Sequence, residues 1–394
     1  MHLAPTPRQQ QLRAELRSYF RELIPPESRD ALRADLAAQR ALLCRIGADG
    51  LLGLGWPTEY GGQGRGPDEQ FVFFDEAHRA GAPVSMVTLN TVGPTLMKYG
   101  TEEQKQYFLP RILSGDLVFA IGYTEPSAGT DLASLRTRAV RDGGDWLVDG
   151  GKSFTSNAQS ADWIWLACRT DPEAPKHRGI SIILVPTDAP GFSWTPIETV
   201  GGLTTTATYY DGIRVPAGNL VGEENGGWAL ITNQLNHERV ALAAIGMQAE
   251  DSYEEALAFA RRPDPDTGER PVDRPWAQAG LAEAHARLAA TRLLNWRLVG
   301  DVGAGTLSPG DASGVKFMGT ESTVEVYRIC QEVVGEAGLV RAGSPGVLSD
   351  GELERMNRAA QINTFGGGVS EVQREIVATM RLGMRRPKRE SGGR

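Results

Sequence analysis

The chain has 394 residues, enough for two or three domains of ordinary size and a large hydrophobic core. Hydrophobic residues make up 41%, charged residues 23%, and the net charge is −8, which is typical of a globular protein and argues against a nucleic-acid partner. No apolar run approaches the roughly 20 residues of a membrane helix, and the three cysteines and five histidines show no metal-ligand spacing, so we expect a cytoplasmic, metal-free protein.

Residues 1–118 have the pattern of an all-helical N-terminal domain. Apolar side chains recur at helical spacing between Leu12 and Leu23. Thr101 stands before two glutamates and Gln104, which is typical of a helix start, because the Thr hydroxyl accepts a bond from the first turn and acids favour that end of a helix.

Residues 119–227 change to short runs rich in β-branched and aromatic residues, separated by Gly, Asp and Pro. The predicted strands are Thr137–Val140, Asp145–Val148, Trp163–Cys168, Ile180–Pro186, Phe192–Thr195 and Ala207–Val215. They alternate with turns and not with helices. We therefore expect a middle domain of antiparallel β-strands and exclude a Rossmann unit.

Residues 228–384 return to helical patterns and predict a C-terminal four-helix bundle, with a disordered tail at 385–394. The long candidate helices are Trp228–Arg261, Trp276–Val302, Ser313–Gly335 and Ser370–Leu382. The chain is thus expected to be α+β, with a helical domain, a β domain and a second helical domain in that order.

The turn at residues 121–131 is the most informative segment of the chain. An apolar strand end leads into Thr-Glu-Pro-Ser-Ala-Gly-Thr, which offers hydroxyls such as those of Thr124 and Thr130. The hydroxyl and backbone N–H donors of such a turn suit a phosphate or the edge of a flavin. Turns rich in Gly, Pro and Ser that bind no ligand have the same composition.

Glu238 lies on the apolar stripe of the first C-terminal helix. Ile231, Leu235, Leu242 and Ile245 accompany it at steps of three and four residues. A carboxylate on such a face is desolvated, which raises its pKa towards the range of a general base. The same pattern also suits a structural glutamate paired with a buried arginine.

The turn at 121–131 resembles the Thr-Glu-Pro-x-Ala-Gly-Ser-Asp signature of acyl-CoA dehydrogenases, a family with the domain order predicted here. Further similarities to the motifs of this family occur, in order, at Trp56–Gly62, Tyr99–Lys105, Gly150–Asn157, Glu238–Arg239, Gln331–Gly338 and Gly367–Arg374. Because these matches span most of the chain, it is identified as a member of this family.

The resemblance implies FAD as the cofactor. By it, Thr124 and the backbone near Tyr123 bind the isoalloxazine edge, and Thr130 lies near the pyrophosphate and the substrate. Phe154 lies against the flavin ring, and Ser156 places its hydroxyl at flavin N5. Without the flanking match, Phe154 would be interpreted as a core aromatic of a strand.

The implied reaction removes the proton on the carbon beside a thioester and passes the β-hydrogen to flavin N5 as hydride, giving a trans-2-enoyl-CoA. In many members the base is a glutamate at the position of Gly367, where glycine cannot serve. A second group places the base just before an arginine, which corresponds here to Glu238 and Arg239. The resemblance therefore favours Glu238 as the catalytic base.

The resemblance implies further contacts with substrate and cofactor. Arg239 is a candidate for the CoA phosphates, with a surface ion pair as the alternative, and Asn236 for the substrate. Gln331 and the turn at Gly335 would contact FAD. The amide of Gly367 would lie at the cofactor and donate to the thioester oxygen.

Two FAD contacts of the family pattern are missing. The Arg-x-x-Phe-Gly motif expected near 262–276 has no counterpart, and Val369 replaces a threonine. Actinobacterial acyl-CoA dehydrogenases of steroid side-chain breakdown resemble this chain in such divergence, and several are α2β2 heterotetramers. We expect this chain to be the Glu238-bearing subunit of such an assembly, and otherwise a homotetramer.

The small side chains at residues 80–85 are compatible with a bulky steroid acyl-CoA, and an electron-transfer flavoprotein is the acceptor expected by analogy. Two alternatives stay open. One is a catalytically silent subunit that completes the FAD site of its partner, which Gly367 favours. The other is an oxygen-using flavin monooxygenase of the same superfamily, which Glu238 disfavours.

Overall fold

The computed structural model describes residues 5–233, 246–265 and 267–385. It has the expected order of a helical domain, a middle β domain and a second helical domain. Contacts divide the chain into two compact units, residues 2–241 and 242–394. The finer domain boundaries at 118/119 and 227/228 stay predictions.

The N-terminal helices begin at capping signals that the sequence contains. Thr6 and Gln9 exchange hydrogen bonds at the first helix, and Thr101 and Gln104 do the same further on, as predicted. The helices are α1 (Pro7–Leu23), α2 (Arg29–Ala34), α3 (Leu36–Ala48), α4 (Pro67–Ala80), α5 (Gly93–Tyr99) and α6 (Glu102–Leu113). A π-helical segment, Val87–Val92, immediately precedes α5.

Helices α1 and α4 pack through an aromatic core beside buried ion pairs. The ring centroids of Phe20 on α1 and Phe73 on α4 lie 6.1 Å apart. Next to them, Arg13 on α1 bridges the carboxylates of Asp75 and Glu76 on α4. Both carboxylates are buried, so their charges need this partner.

The middle domain is one eight-stranded sheet in the order β6-β7-β3-β2-β4-β5-β8, with β1 paired to β4 off this path. The strands are β1 (Phe119–Gly122), β2 (Arg138–Asp142), β3 (Asp145–Lys152), β4 (Trp163–Arg169), β5 (Ile180–Pro186), β6 (Phe192–Glu198), β7 (Thr204–Pro216) and β8 (Leu220–Val221). Nearly every position of β4 and β5 is buried, which explains their continuous apolar sequence.

The predicted middle β domain is confirmed, but its expected antiparallel pairing is wrong for two strand pairs. Strand β4 pairs parallel with β1 and, at one position, with β2. The connection from β1 to β4 contains the whole β2–β3 hairpin, and parallel pairing needs a long crossover of this kind. The Gly, Asp and Pro residues between consecutive strands predict turns, but they do not indicate how strands far apart in the sequence pair.

The start of strand β1 is anchored to the helical domain. The backbone N–H of Phe119 donates to the hydroxyl of Thr88 in the π-helical segment at 3.0 Å. Just before β1, the N–H of Val118 donates to Asp162, whose carboxylate also pairs with Arg40 on α3 at 2.9 Å. These bonds fix the start of the strand that leads into the 121–131 turn.

The C-terminal helices surround a long central helix. After a helix described over 227–233, here α7, the chain continues with α8 (Ala249–Ala260), α9 (Pro275–Gly303), α10 (Pro309–Val334), α11 (Glu352–Ala359) and α12 (Ser370–Ile376). Helix α10 packs against α8, α9 and α12, with Tyr327 and Cys330 buried in the core.

Two predicted helix extents are wrong. The prediction of one helix over Trp228–Arg261 fails about midway, because a 3-10 turn at Gly246–Gln248 precedes α8, and glycine weakens a helix interior. The predicted helix Ser370–Leu382 becomes π-helical at Val377–Arg381.

Candidate functional site

The predicted turn after β1 is confirmed and is closed by its own backbone. The N–H of Glu125 donates to the carbonyl of Ala128 at 3.1 Å, and the N–H of Ala128 donates back to Glu125 at 3.0 Å. Just before the turn, the hydroxyl of Tyr123 accepts from the indole N–H of Trp165 on β4 at 3.1 Å. The side chain of Thr124 is half-buried between these two fixed points.

A buried ion pair supports this turn from beneath. Lys152, at the end of β3, donates to the Glu125 carboxylate at 2.9 Å and to the carbonyl of Tyr123 at 3.0 Å. The same carboxylate accepts the backbone N–H groups of Arg136 and Thr137 at 2.7 and 2.8 Å. The ammonium therefore links β3 to the segment that carries Tyr123 and Thr124.

The Glu125 carboxylate is held in its charged form. Burial by itself raises the pKa of this group, but the Lys152 ammonium and the two backbone donors outweigh it, so the pKa lies below its usual value. A buried charge of this kind is tolerated because every bond it needs is present.

The chain after β3 is held in an unusual conformation. Phe154 and Asn157 are non-glycine residues with left-handed φ angles of 61° and 65°. The N–H of Ser153 donates to the carbonyl of Thr124 at 2.8 Å, which joins this segment to the turn. The Phe154 side chain is 62% exposed. Left-handed backbone costs roughly 1–2 kcal/mol for such a residue, so its retention at an exposed aromatic points to a ligand site.

Threonines of β7 hold the segment from the other side. The N–H of Thr155 donates to the carbonyl of Thr206 at 2.9 Å, and the Thr206 hydroxyl donates back at 2.6 Å. The exposed hydroxyl of Ser156 lies 3.1 Å from that of Thr205. Ser156 is therefore positioned by a polar neighbour while its hydroxyl stays at the surface.

The structure brings four of the predicted site residues into one region. Tyr123 and Thr124 are joined to the Phe154–Ser156 segment by the bonds of Ser153 and Lys152. Thr130, near the end of the 121–131 turn, is exposed. The predicted roles of these residues at a flavin stay predictions.

The other predicted cofactor residues belong to the C-terminal unit. Gln331, near the end of α10, donates to the carbonyl of Gly338 at 3.0 Å and so closes the turn that begins at Gly335, where φ is 71°. Gly367 lies in an exposed loop before α12, also left-handed with φ 66°. Among the described residues, a Cβ at Gly367 would meet no atom within 4 Å.

Asn236, Glu238 and Arg239 lie outside the described residues. Helix α7 is described as far as Asn233, whose amide donates to the hydroxyl of Tyr99 on α5 at 2.7 Å. Ile231, the first member of the predicted apolar stripe, is buried. The stripe thus begins on the buried side of α7.

Sequence reasoning assigned no role to Lys152 or Glu125. The signal was present, because Lys152 occupies an inward position of β3, where the strand pattern calls for an apolar residue. Within the described ranges, no group of three or more His, Cys, Asp or Glu side chains is arranged to hold a metal ion, and no helix is long and apolar enough to cross a bilayer.

Three family models match successive parts of the chain. They are the acyl-CoA dehydrogenase N-terminal domain over residues 6–116, the middle domain over 120–211 and the C-terminal domain over 225–382. Together they account for most of the chain and follow the order of the observed domains.

Relatives of similar length share about half of the residues. Acyl-CoA dehydrogenase FadE26 of Mycobacterium tuberculosis is 52% identical, over 99% of this chain and 100% of its own. The solved structure of the Tcur3481-Tcur3483 steroid ACAD is 55% identical, with a TM-score of 0.94 over 98% of this chain and 100% of that one. The ChsE4-ChsE5 complex from Mycobacterium tuberculosis is 52% identical, with a TM-score of 0.92 over the same shares.

Proposed function

The chain belongs to the acyl-CoA dehydrogenase family, whose members are FAD-dependent. We propose that it oxidises a bulky, steroid side-chain acyl-CoA to the trans-2-enoyl-CoA and that Glu238 is the catalytic base. The observation that carries this proposal is Gly367. The position that provides the glutamate in many members of the family is here an exposed, left-handed glycine without a side chain. The base must then come from elsewhere, and Glu238 is the carboxylate that the second family pattern provides.

The residues around the 121–131 turn fit a flavin. Phe154 offers an exposed ring on a strained backbone, and its segment, which includes Ser156, is joined to Thr124 by the N–H of Ser153. Stacking of the Phe154 ring on the isoalloxazine would contribute about 1 kcal/mol of binding free energy beyond that of burying the two surfaces. FAD, when bound, supplies the acceptor for the electrons and the hydrogen that leave the β-carbon.

The roles that we assign to the protein's own groups follow from the chemistry of the thioester. Glu238 takes the α-proton, and the amide of Gly367 donates to the thioester oxygen, where negative charge develops. Arg239 binds the CoA phosphates, which a guanidinium matches with two parallel bonds. Asn236 and Thr130 complete the contacts with the substrate.

The bulky substrate and the paired assembly are supported by the similar proteins. Two of the solved structures are named as the Tcur3481-Tcur3483 steroid ACAD and as the ChsE4-ChsE5 complex. In this chain, the segment 80–85 has small side chains, and Val369 takes the place of a cofactor-binding threonine. We propose an α2β2 heterotetramer with a paralogous subunit, and an electron-transfer flavoprotein as acceptor.

Replacing Glu238 by Gln tests the base. The amide cannot accept the α-proton, so we expect flavin reduction by acyl-CoA to slow about 10³-fold while FAD stays bound. Stopped-flow absorbance at the flavin band measures the rate, and the spectrum at rest measures occupancy. The matched control is Glu254→Gln, an exposed carboxylate on α8. Flavin bleaching at the wild-type rate in Glu238→Gln would remove Glu238 as the base.

The second candidate function is that of a catalytically silent subunit. The observation in its favour is that Gly367 provides no carboxylate at the usual position of the base. The same experiment separates the two, because a silent subunit would show no effect of Glu238→Gln on turnover by the assembled complex. A panel of acyl-CoA thioesters with a redox dye identifies the acyl group, and rapid oxygen consumption would instead indicate a monooxygenase.

A further inference from the structure

The π-helical segment before α5 contains two buried side-chain oxygens that have no partner within the described part of the chain. Asn90 and Thr91 are 3% and 1% exposed. Neither the carbonyl oxygen of the Asn90 side chain nor the hydroxyl of Thr91 has a hydrogen-bond partner among the described residues. Leaving such groups unpaired costs about 1–3 kcal/mol each, so native proteins keep them where a ligand or a water supplies the missing bond.

The neighbouring hydroxyls of Thr88, in the same segment, and of Thr95, on α5, both have partners. Thr88 bonds to the backbone of Phe119 and to the hydroxyl of Ser85, and Thr95 donates to the carbonyl of Thr91 at 2.6 Å. The lack of partners is therefore confined to the side chains of two adjacent residues and is no general property of this helix. π-Helical segments of this kind are frequently found at functional sites.

The segment is also rigidly held. The indole N–H of Trp56 donates to the carbonyl of Leu89 at 3.0 Å. A Cβ at Gly93 would lie 2.1 Å from the same indole, so the glycine allows the helix to approach Trp56 closely. Asn90 and Thr91 thus lie on a fixed backbone, as a site that recognises one group needs.

Its place relative to the 121–131 turn indicates what part of a substrate it reaches. Thr88 bonds to Phe119 at the start of β1, and Tyr123 and Thr124 follow directly after β1. At about 3.3 Å per residue, the start of β1 lies on the order of 15 Å from Thr124. That is the scale of the distance from a thioester to the far part of a large acyl group.

We infer that Asn90 and Thr91 form a polar subsite for a hydroxyl group on the distal part of the acyl substrate, an inference that rests on the proposed function. A hydroxyl can both donate to the Asn90 carbonyl oxygen and accept from the Thr91 hydroxyl, and these are the two bonds that the side chains lack. A ketone offers no donor for Asn90, and a hydrocarbon satisfies neither. The subsite therefore ranks substrates as hydroxylated, then ketonic, then deoxygenated.

Three steroid side-chain acyl-CoAs that differ only in a ring hydroxyl, a ring ketone or neither test the subsite on the FAD-loaded complex. Calorimetry gives their dissociation constants, and flavin reduction gives kcat/KM. We expect Asn90→Leu to weaken binding of the hydroxylated thioester about tenfold, the value of one hydrogen bond, and to leave the deoxygenated one unchanged. Thr91→Val should act in the same direction.

Thr95→Val is the matched control, because it removes a hydroxyl of α5 that already has a partner. Unfolding of the substrate-free protein gives an independent measurement: Asn90→Leu should not lower the midpoint, since it removes an unpaired buried group. Equal loss of affinity for all three thioesters would mean that Asn90 holds only water and would overturn the subsite. An unchanged order of the three dissociation constants in Asn90→Leu would also overturn the subsite. Because calorimetry measures binding without turnover, a failure of the proposed dehydrogenation would be detected separately, in the flavin-reduction assay.

Discussion

At the scale of single residues, the candidate site depends on groups whose conformation or charge is unfavourable by itself. Lys152 and Glu125 are buried charges that are stable only as a pair. Phe154 adopts a backbone conformation that its side chain disfavours. Both features lie directly behind or beside the residues that we assign to the flavin.

Lys152→Met leaves the Glu125 carboxylate buried without its cation. We expect a loss of about 3 kcal/mol in unfolding free energy, together with weaker FAD binding, because the ammonium also holds the carbonyl of Tyr123. Urea unfolding and the fluorescence of released flavin measure the two effects. Lys176→Met removes an exposed partner of Asp131 and should cost less than about 1 kcal/mol. Equal effects of the two substitutions would contradict the role of Lys152.

The substitution Phe154→Gly is expected to have opposite effects on the stability of the FAD-free protein and on its affinity for FAD. Glycine adopts φ 61° without strain, so the FAD-free protein should become more stable by about 1 kcal/mol while its affinity for FAD decreases. Thermal unfolding and flavin titration provide the two values. Trp194→Ala, which removes another exposed aromatic of the sheet, serves as the control. A less stable FAD-free Phe154→Gly protein would show that the ring packs as a core residue.

At the scale of elements, α4 carries charged and titratable groups on its buried face. Its last turn contains His78, whose ring stacks on Phe74 with centroids 6.0 Å apart. Burial lowers the pKa of His78 to about 4, and the nearby Asp75 opposes this only in part. The Nδ1 atom of His78 has no hydrogen-bond partner in the described part of the chain.

This histidine makes the stability of the helical domain depend on pH. The unfolded chain takes up a proton near the ordinary pKa of 6.5, whereas the folded imidazole takes it up only near 4. Stability is therefore full above about pH 6.5 and decreases as the pH falls towards 4, by about 3 kcal/mol. His78→Phe should flatten this slope in unfolding curves measured from pH 8 to 4. At pH 8 the imidazole is neutral in both states, so the difference in unfolding free energy between the wild type and His78→Phe measures the change in packing alone. Identical pH slopes in the two proteins would contradict the role of His78.

At the scale of the whole molecule, the fold and family are established, and the assembly is the proposal that remains to be tested. Co-expression with a paralogous subunit should give a heterotetramer, and the isolated chain should hold less than one FAD per chain, because Val369 lacks the hydroxyl of the family pattern. Size-exclusion chromatography with light scattering and flavin absorbance per chain measure both. A stable homotetramer with full FAD occupancy would contradict the paired assembly.

The sequence by itself determined what depends on neighbouring residues. The cap at Thr101, the turn at 121–131 and the absence of a side chain at Gly367 are visible in short stretches, because capping, turn geometry and side-chain chemistry act over a few residues. The family motifs extended this local information to the cofactor and the reaction.

Only the tertiary structure decided which distant segments meet. The parallel pairing of β1 with β4, the Lys152–Glu125 pair and the unpartnered Asn90 could not be derived from local patterns. Alternation and composition report which side of an element is buried, but they do not identify the partner that covers it. Whether a buried polar group is satisfied depends on that partner, and the chain brings it from far away in the sequence.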